Sequence, residues 1–260
     1  MAQQGTDMTF WDHLDDLRKV LFKMLAVFFG AAIVLFYFKT FLFDKVIFAP
    51  ADNDFYLYRL LGTEISLGNF QNIEIASQFF VHMKVTLLCA LVLTFPYLMY
   101  AIWQFVAPAL YDSEKKAIRG AFAFASLLFY AGVLLAYFVI FPLMLNFFAD
   151  YQVSTRVENH FSLSAYISML LTTSVMFGLV FEFPTLIAVA SKMGLVTKAG
   201  LKSYRRHALC IIMILAAIIT PSGDPFTLLI CTVPLYLLYE FSIMICKDNV
   251  DEDDLTGEEV

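Results

Sequence analysis

Two uncharged runs dominate this chain. Val85–Tyr111 holds 27 consecutive residues, and Gly120–Ala149 holds 30, without one Asp, Glu, Lys or Arg. About 20 apolar residues in helical conformation cover the roughly 30 Å hydrocarbon core of a bilayer. Inside that core no water reaches the backbone, so a crossing segment must satisfy its own N–H and C=O groups. The remaining composition agrees: 60% of residues are hydrophobic and 15% are charged, where soluble domains carry about 25% charged residues. The sequence predicts an all-α integral membrane protein.

Six crossings are expected. The first is about Val20–Phe38, with Lys23 one turn in, where its aliphatic stem can carry the charge back to the interface. The second is Val85–Tyr111, which contains Pro96, ends near Pro108, and offers Trp103, Phe105 and Tyr111 to the interface. The third, Gly120–Ala149, exceeds a perpendicular crossing, so tilt, a kink near Pro142 or extension past the bilayer is expected. The fourth is about Phe161–Ser191. The last two, Ala208–Pro221 and Pro225–Tyr239, are expected to be short and joined by a tight turn at Ser222–Gly223–Asp224. A 14-residue helix reaches only about 21 Å at 1.5 Å per residue. Arg205, Arg206 and Glu240 are then drawn towards the membrane, or the bilayer thins there.

With the N-terminus inside, twelve of the 17 lysines and arginines fall on the cytoplasmic side and five on the outer side. That bias sets the orientation, and an even number of crossings puts both termini in the cytoplasm. The expected organisation is a single six-helix membrane domain over 1–247. It includes an amphipathic interfacial helix at about 8–19, in which Leu14, Leu17 and Leu21 share a face, and an outer loop at about 40–84. In that loop Phe41–Phe48 reads as a short interfacial helix stopped by Pro50. The loop is rich in apolar residues and is expected to fold over the membrane. Residues 248–260 carry seven acids and no base and read as a disordered tail; the rest has 17 basic and 16 acidic side chains, a net of +1. No basic stripe for nucleic acid is present.

Several chemistries find no support. Cys89, Cys210, Cys231 and Cys246 lie in apolar spans without CxxC spacing, which indicates packing and neither a disulfide framework nor a metal site. His13, His82, His160 and His207 are scattered over both sides. No nucleophile–base pair, phosphate loop or cofactor motif is readable, so neither an enzyme nor a cofactor is expected. The acidic, polar N-terminus is no cleavable signal peptide.

Acidic residues carry the functional signal. Glu182 is the one charged residue in Phe161–Ser191. A carboxylate within a span costs on the order of 2.5–3.5 kcal/mol on insertion scales and marks a pathway, a proton site or a binding site. The alternative is a hydrogen-bonded group that fixes helix packing. Two further clusters face the cytoplasm: Asp12, Asp15 and Asp16 before the first span, and Asp112 and Glu114 between the second and third. Ordinary surface pairing with Arg18 and Lys19, and capping of the third span, would explain each alone. Together they form a surface fit for guanidinium groups, whose planar fork pairs bidentately with carboxylates. Asp224 is expected to cap the sixth span, with Pro225 at its first position. Glu240 is placed to pair with Arg205 or Arg206. A peptide receptor and an ion-coupled transporter both remain open on these residues.

Ordered motifs bring a family into view: HLDDLRK at 13–19, FAP at 48–50, WQFVAPALYDSEKK at 103–116, LLFYAGVLLAYFVIFP at 127–142, FGLVFEFP at 177–184, TPSGDPF at 220–226 and PLYLLYE at 234–240. The chain resembles TatC, the multispanning subunit of the twin-arginine protein translocase, from Phe10 to about Lys247. The resemblance implies a non-enzymatic receptor in the bacterial cytoplasmic membrane. It would bind the twin-arginine signal peptides of folded proteins at the cytoplasmic face and recruit single-span A- and B-type subunits into an oligomeric complex. Transport would be driven by the proton-motive force. It also implies signal-peptide contacts at Asp16, Arg18, Phe105, Tyr111 and Glu114, an intramembrane polar site at Glu182, an acidic residue of the outer hairpin at Asp224, and partner-helix contacts at Leu228 and Glu240. Three features depart from the family pattern. Asp16 stands where many members have Glu, the TPSGDPF turn is one residue longer, and Thr227–Leu228 replaces a common Ser–Gln. The last removes the polar contact that the Gln would make with a partner helix.

Overall fold

The computed structural model describes residues 10–65, 67, 69–106, 112–154, 156, 159–192, 194–220 and 223–246; for 10–13, 106, 112–119, 121 and 192 it describes the backbone alone. The main helices are α1 (Phe10–Tyr37), α2 (Lys39–Phe41), α3 (Tyr56–Leu61), α4 (Ser77–Val106), α5 (Asp112–Leu135), α6 (Phe141–Asp150), α7 (Leu163–Val180), α8 (Phe183–Lys192), α9 (Lys198–Ser203), α10 (Arg205–Ile219) and α11 (Pro225–Ile245). Five stretches are long and apolar enough to cross a membrane: Leu14–Tyr37, Ser77–Phe105, Phe122–Asp150, Leu163–Ser191 and Pro225–Ile245. The chain divides into two compact units, one built from 1–49 and 72–126, the other from 50–71 and 127–260.

In the first unit α1 packs along α4. The expected helix at about 8–19 is not separate: from Phe10 it is the opening of α1 and runs unbroken into the first span, because no Pro, Gly or competing cap interrupts it before Gly30. Met8 and Thr9 lie outside the described residues. The helix expected at Phe41–Phe48 appears as α2 followed by a π-helical turn at Leu42–Ile47. α4 begins at Ser77, so residues 77–84 of the stretch expected as an outer loop are helical. Residues 77–84 carry His82, which stacks on Phe36 with ring centroids 4.0 Å apart.

Prolines shape the second unit. Pro142 has no N–H, so the carbonyl one turn earlier loses its helical donor. The chain answers with a π-helical turn, Ala136–Ile140, in which Phe141 N–H donates to Ala136 O. The third span therefore stays continuous through α5 and α6, with the irregularity where the kink was expected. Pro184 acts differently. There the fourth span ends α7 at Val180 and restarts as α8 at Phe183.

Within residues 50–71, Phe55, Leu57, Tyr58, Ile65 and Leu67 are buried. Tyr58 is 1% exposed; its hydroxyl donates to Pro50 O at 2.9 Å and reaches Pro142 O at 3.5 Å. Burial pushes the Tyr58 phenol pKa up. Gln71 pairs with the start of α7: Gln71 N donates to Phe161 O at 2.9 Å, and Leu163 N to Gln71 O at 3.0 Å.

α10 and α11 form the final hairpin. Gly223 takes the left-handed turn at φ +59°, a conformation glycine adopts without a Cβ penalty. Of the two helices expected to be short, only α10 is, at 15 residues. α11 runs 21 residues, since Phe241–Ile245 continue its apolar pattern past Glu240. Ile212, Ala216 and Ile219 of α10 meet Cys231, Leu235, Tyr239 and Ile243 of α11, with Phe177 and Met144 completing the core. The three-and-four spacing is that of one helical face.

Gly132 and Gly178 let α5 and α7 approach closely. A Cβ at Gly132 would lie 2.6 Å from Phe177 O, and one at Gly178 would lie 2.7 Å from Val133 Cγ2. Small residues at such crossings are how membrane helices gain packing contacts. Gly178→Val is expected to cost about 1–3 kcal/mol through overpacking, read as a lower thermal midpoint in detergent. Gly30→Ala, where a Cβ meets nothing within 4 Å, is expected not to lower it.

Candidate functional site

The sequence-predicted residues fall in both units. On α1, Asp16 and Lys19 form an i,i+3 ion pair at 2.9 Å, with side chains 46% and 68% exposed. Arg18 lies over the Phe22 ring, 5.7 Å from its centroid. An exposed pair of this kind contributes at most about 1 kcal/mol, so another cation can replace Lys19 at the Asp16 carboxylate for little cost. Phe105 is half-buried near the end of α4. Trp103 is buried against Phe122, with ring centroids 5.6 Å apart. Asp112, Ser113 and Glu114 open α5, where acids suit the positive end of the helix dipole. The Glu114 side chain and all of Tyr111 lie outside the described residues. The structure thus places Asp16, Arg18 and Phe105 in the first unit and gives the backbone position of Glu114.

Glu182 sits in the break between α7 and α8. Its N–H donates to Leu179 O at 3.1 Å, and its carbonyl accepts from Leu186 N at 3.0 Å, so it is the entry residue of α8. The break follows from Pro184, whose missing N–H leaves Val180 O without its helical donor. The side chain is half-buried. Its Oε1 is buried and has no hydrogen-bond partner among the described residues. The same holds for Oγ of Ser174 and for Oγ1 of Thr173 and Thr185. Ser174 lies on α7 and Thr185 in the first turn of α8, to either side of the break that holds Glu182. A buried polar atom left unpaired costs about 1–3 kcal/mol and calls for a partner. The sequence reading singled out Glu182 and missed these hydroxyls.

Asp224 caps α11 as expected. Its Oδ1 accepts from Phe226 N at 3.0 Å and from Thr227 N at 2.9 Å, and its Oδ2 accepts from Thr227 Oγ1 at 2.6 Å. Thr227 is therefore a second capping residue of this turn. Leu228 packs against the hairpin core. Glu240 accepts from Arg205 Nη2 at 2.6 Å and from Tyr236 OH at 3.0 Å, which ties α10 to α11 at the end opposite Asp224.

The comparisons with known proteins agree with this geometry. The family model described as TatC, Sec-independent protein translocase protein, matches residues 12–234. A Sec-independent protein translocase protein TatC from Blattabacterium sp. subsp. Periplaneta americana is 36% identical over 259 residues, covering 94% of this chain and 97% of the relative. The Helicobacter pylori strain 26695 TatC is 35% identical over 235 residues, covering 90% and 86%. A crystal structure of the twin arginine translocase receptor TatC in DDM superposes with a TM-score of 0.73 at 31% identity, covering 90% of this chain and 99% of the other.

The unpaired oxygen makes a prediction of opposite sign to that of an ordinary core residue. Glu182→Leu is expected to raise the thermal midpoint in detergent, by about 1 kcal/mol of stability, because it removes an unsatisfied buried acceptor. Asp224→Ala is expected to cost about 0.5–2 kcal/mol as a lost N-cap, with faster amide exchange at Phe226 and Thr227.

Proposed function

The chain belongs to the TatC family of Sec-independent protein translocase proteins, and on that premise we propose that it is the signal receptor of a twin-arginine translocase in a bacterial inner membrane. Its ligands are the twin-arginine signal peptides of folded precursor proteins, bound at the cytoplasmic face. The signal's arginine pair binds at Glu114 and Asp16, with Arg18, Phe105 and Tyr111 completing the surface. The observation that carries this reading is the match at 31% identity and near full length to a solved protein described as a twin arginine translocase receptor. The weakly paired, exposed Asp16 carboxylate supports it, since a bidentate guanidinium contact is stronger than the lysine contact it displaces.

In this reading α10 is the fifth of six crossings, short at 15 residues, and both termini lie in the cytoplasm. Glu182 anchors the inserted signal or a partner helix through its unpaired oxygen. Single-span A- and B-type subunits dock against the α10–α11 hairpin, near Asp224, Leu228 and Glu240. The assembled oligomer exports its cargo using the proton-motive force.

Glu114→Ala is expected to abolish site-specific crosslinking of a twin-arginine signal peptide to this chain while leaving its thermal midpoint unchanged; crosslinking at the wild-type level would refute the acidic surface. Glu182→Leu is expected to lower export despite its added stability, measured as processed precursor outside the inner membrane.

A further inference from the structure

We propose that α3 lies in the membrane interface at the Pro142 end of the third span, with Tyr56 and Leu60 set among lipid headgroups and upper acyl chains. α3 and the third span from Leu127 onwards belong to the same compact unit. The two sides of α3 differ. Leu57 and Tyr58 are buried, whereas Tyr56 and Leu60 are 69% and 68% exposed. Tyr56 and Leu60 stand four residues apart and share a face. Arg59 beside them is held by Asp54 in an exposed ion pair at 2.8 Å.

The third span sets the height of α3. Lys115, Lys116 and Arg119 precede its apolar stretch, Phe122–Asp150, and basic residues of this kind mark an interface. About 20 residues cover the hydrocarbon, so a count from Phe122 ends at Phe141. α3 is attached at that level. Phe55, the residue before its first turn, stacks on Phe138 with ring centroids 5.7 Å apart and 12° between the planes. The Tyr58 hydroxyl reaches Pro142 O at 3.5 Å.

Exposure gives the direction. Leu127, Ala131, Leu134 and Phe138 are exposed, and the first three share a helical face. On a spanning helix such an apolar stripe meets lipid. It stops at Phe138, since every residue from Val139 to Ala149 is buried or half-buried. Exposed apolar surface resumes on α3, one residue after the Phe55 ring that covers Phe138. With its buried face on the flank of a span, α3 turns Tyr56 and Leu60 sideways, into the plane of the bilayer. An apolar face bordered by an arginine suits the boundary between headgroups and acyl chains. A stable protein contact takes roughly 20–30 residues a side. The exposed apolar face of α3 offers Tyr56, Leu60 and Leu61, and lipid needs no matched surface.

The test uses the full-length chain reconstituted in phosphatidylcholine–phosphatidylglycerol bilayers. No signal peptide is present, so the outcome is independent of signal recognition. Leu60→Trp and Tyr56→Trp each add one fluorescent reporter to this face, and the emission of the parent chain, from Trp11 and Trp103, is subtracted. Both replaced side chains are exposed, so both variants are expected to keep the thermal midpoint of the parent. Val153→Trp, in an exposed segment past the end of the span, is the aqueous control. Lipids brominated near the headgroup are expected to quench the two α3 reporters at least about twofold more than the control, because an interfacial helix inserts about 5–10 Å into the acyl boundary. Acrylamide is expected to quench in the reverse order. Acrylamide quenching of both α3 reporters at the level of the control, without quenching by brominated lipid, would mean that the face is in water. Shielding of both from either quencher would mean that protein, such as a second copy of this chain, covers it. Either result would overturn the proposal.

Discussion

Hydrocarbon gives a backbone no hydrogen-bonding partner except itself, and the architecture of this chain follows from where prolines withdraw a donor. At Pro142 the loss is absorbed by a π-helical turn, and helix continues from α5 into α6. At Pro184 the helix stops and restarts. The residue left at the restart is Glu182, whose position combines the positive end of α8 with a buried oxygen that nothing in the described chain satisfies. The costly carboxylate is thus stationed at the one place in its span where the backbone ladder is already broken.

The two kinds of polar site differ in how firmly they are held. The final hairpin is fixed at one end by the Asp224 cap and at the other by Arg205–Glu240, with rows of apolar side chains between them. Asp224, Arg205 and Glu240 are spent on structure. Asp16 on α1 is joined to Lys19 by a single exposed contact, which a better-matched cation can replace. Glu182 keeps one buried oxygen, Oε1, without a hydrogen-bond partner among the described residues. The proposed receptor role would draw on that contrast between a rigid frame and a carboxylate that can change partners on it.

Much of this was legible in the residues. Uncharged length gave five of the six expected crossings, the SGDP turn gave the cap, and the facing charges gave the Arg205–Glu240 pair. Other features were not. Nothing in Asp12–Val20 signalled that its amphipathic pattern would continue straight into the first span, because amphipathicity reports a face and not an angle to the membrane. The sixth helix was read as ending at Tyr239, on the assumption that Glu240 marks an interface; a charge paired with Arg205 and Tyr236 can sit within a helix. Glu114 and Tyr111 were singled out from sequence as site residues, and that assignment rests on the motif 103–116.

The most direct measurement is the affinity of the purified full-length chain, reconstituted in bilayers, for a signal peptide carrying Arg-Arg compared with the same peptide carrying Lys-Lys. Recognition by paired carboxylates predicts a clear preference for arginine, at least about tenfold, because only guanidinium engages both carboxylate oxygens at once. Equal affinities at low and physiological salt would mean that the acidic residues act as a general electrostatic surface, and the receptor account would fail.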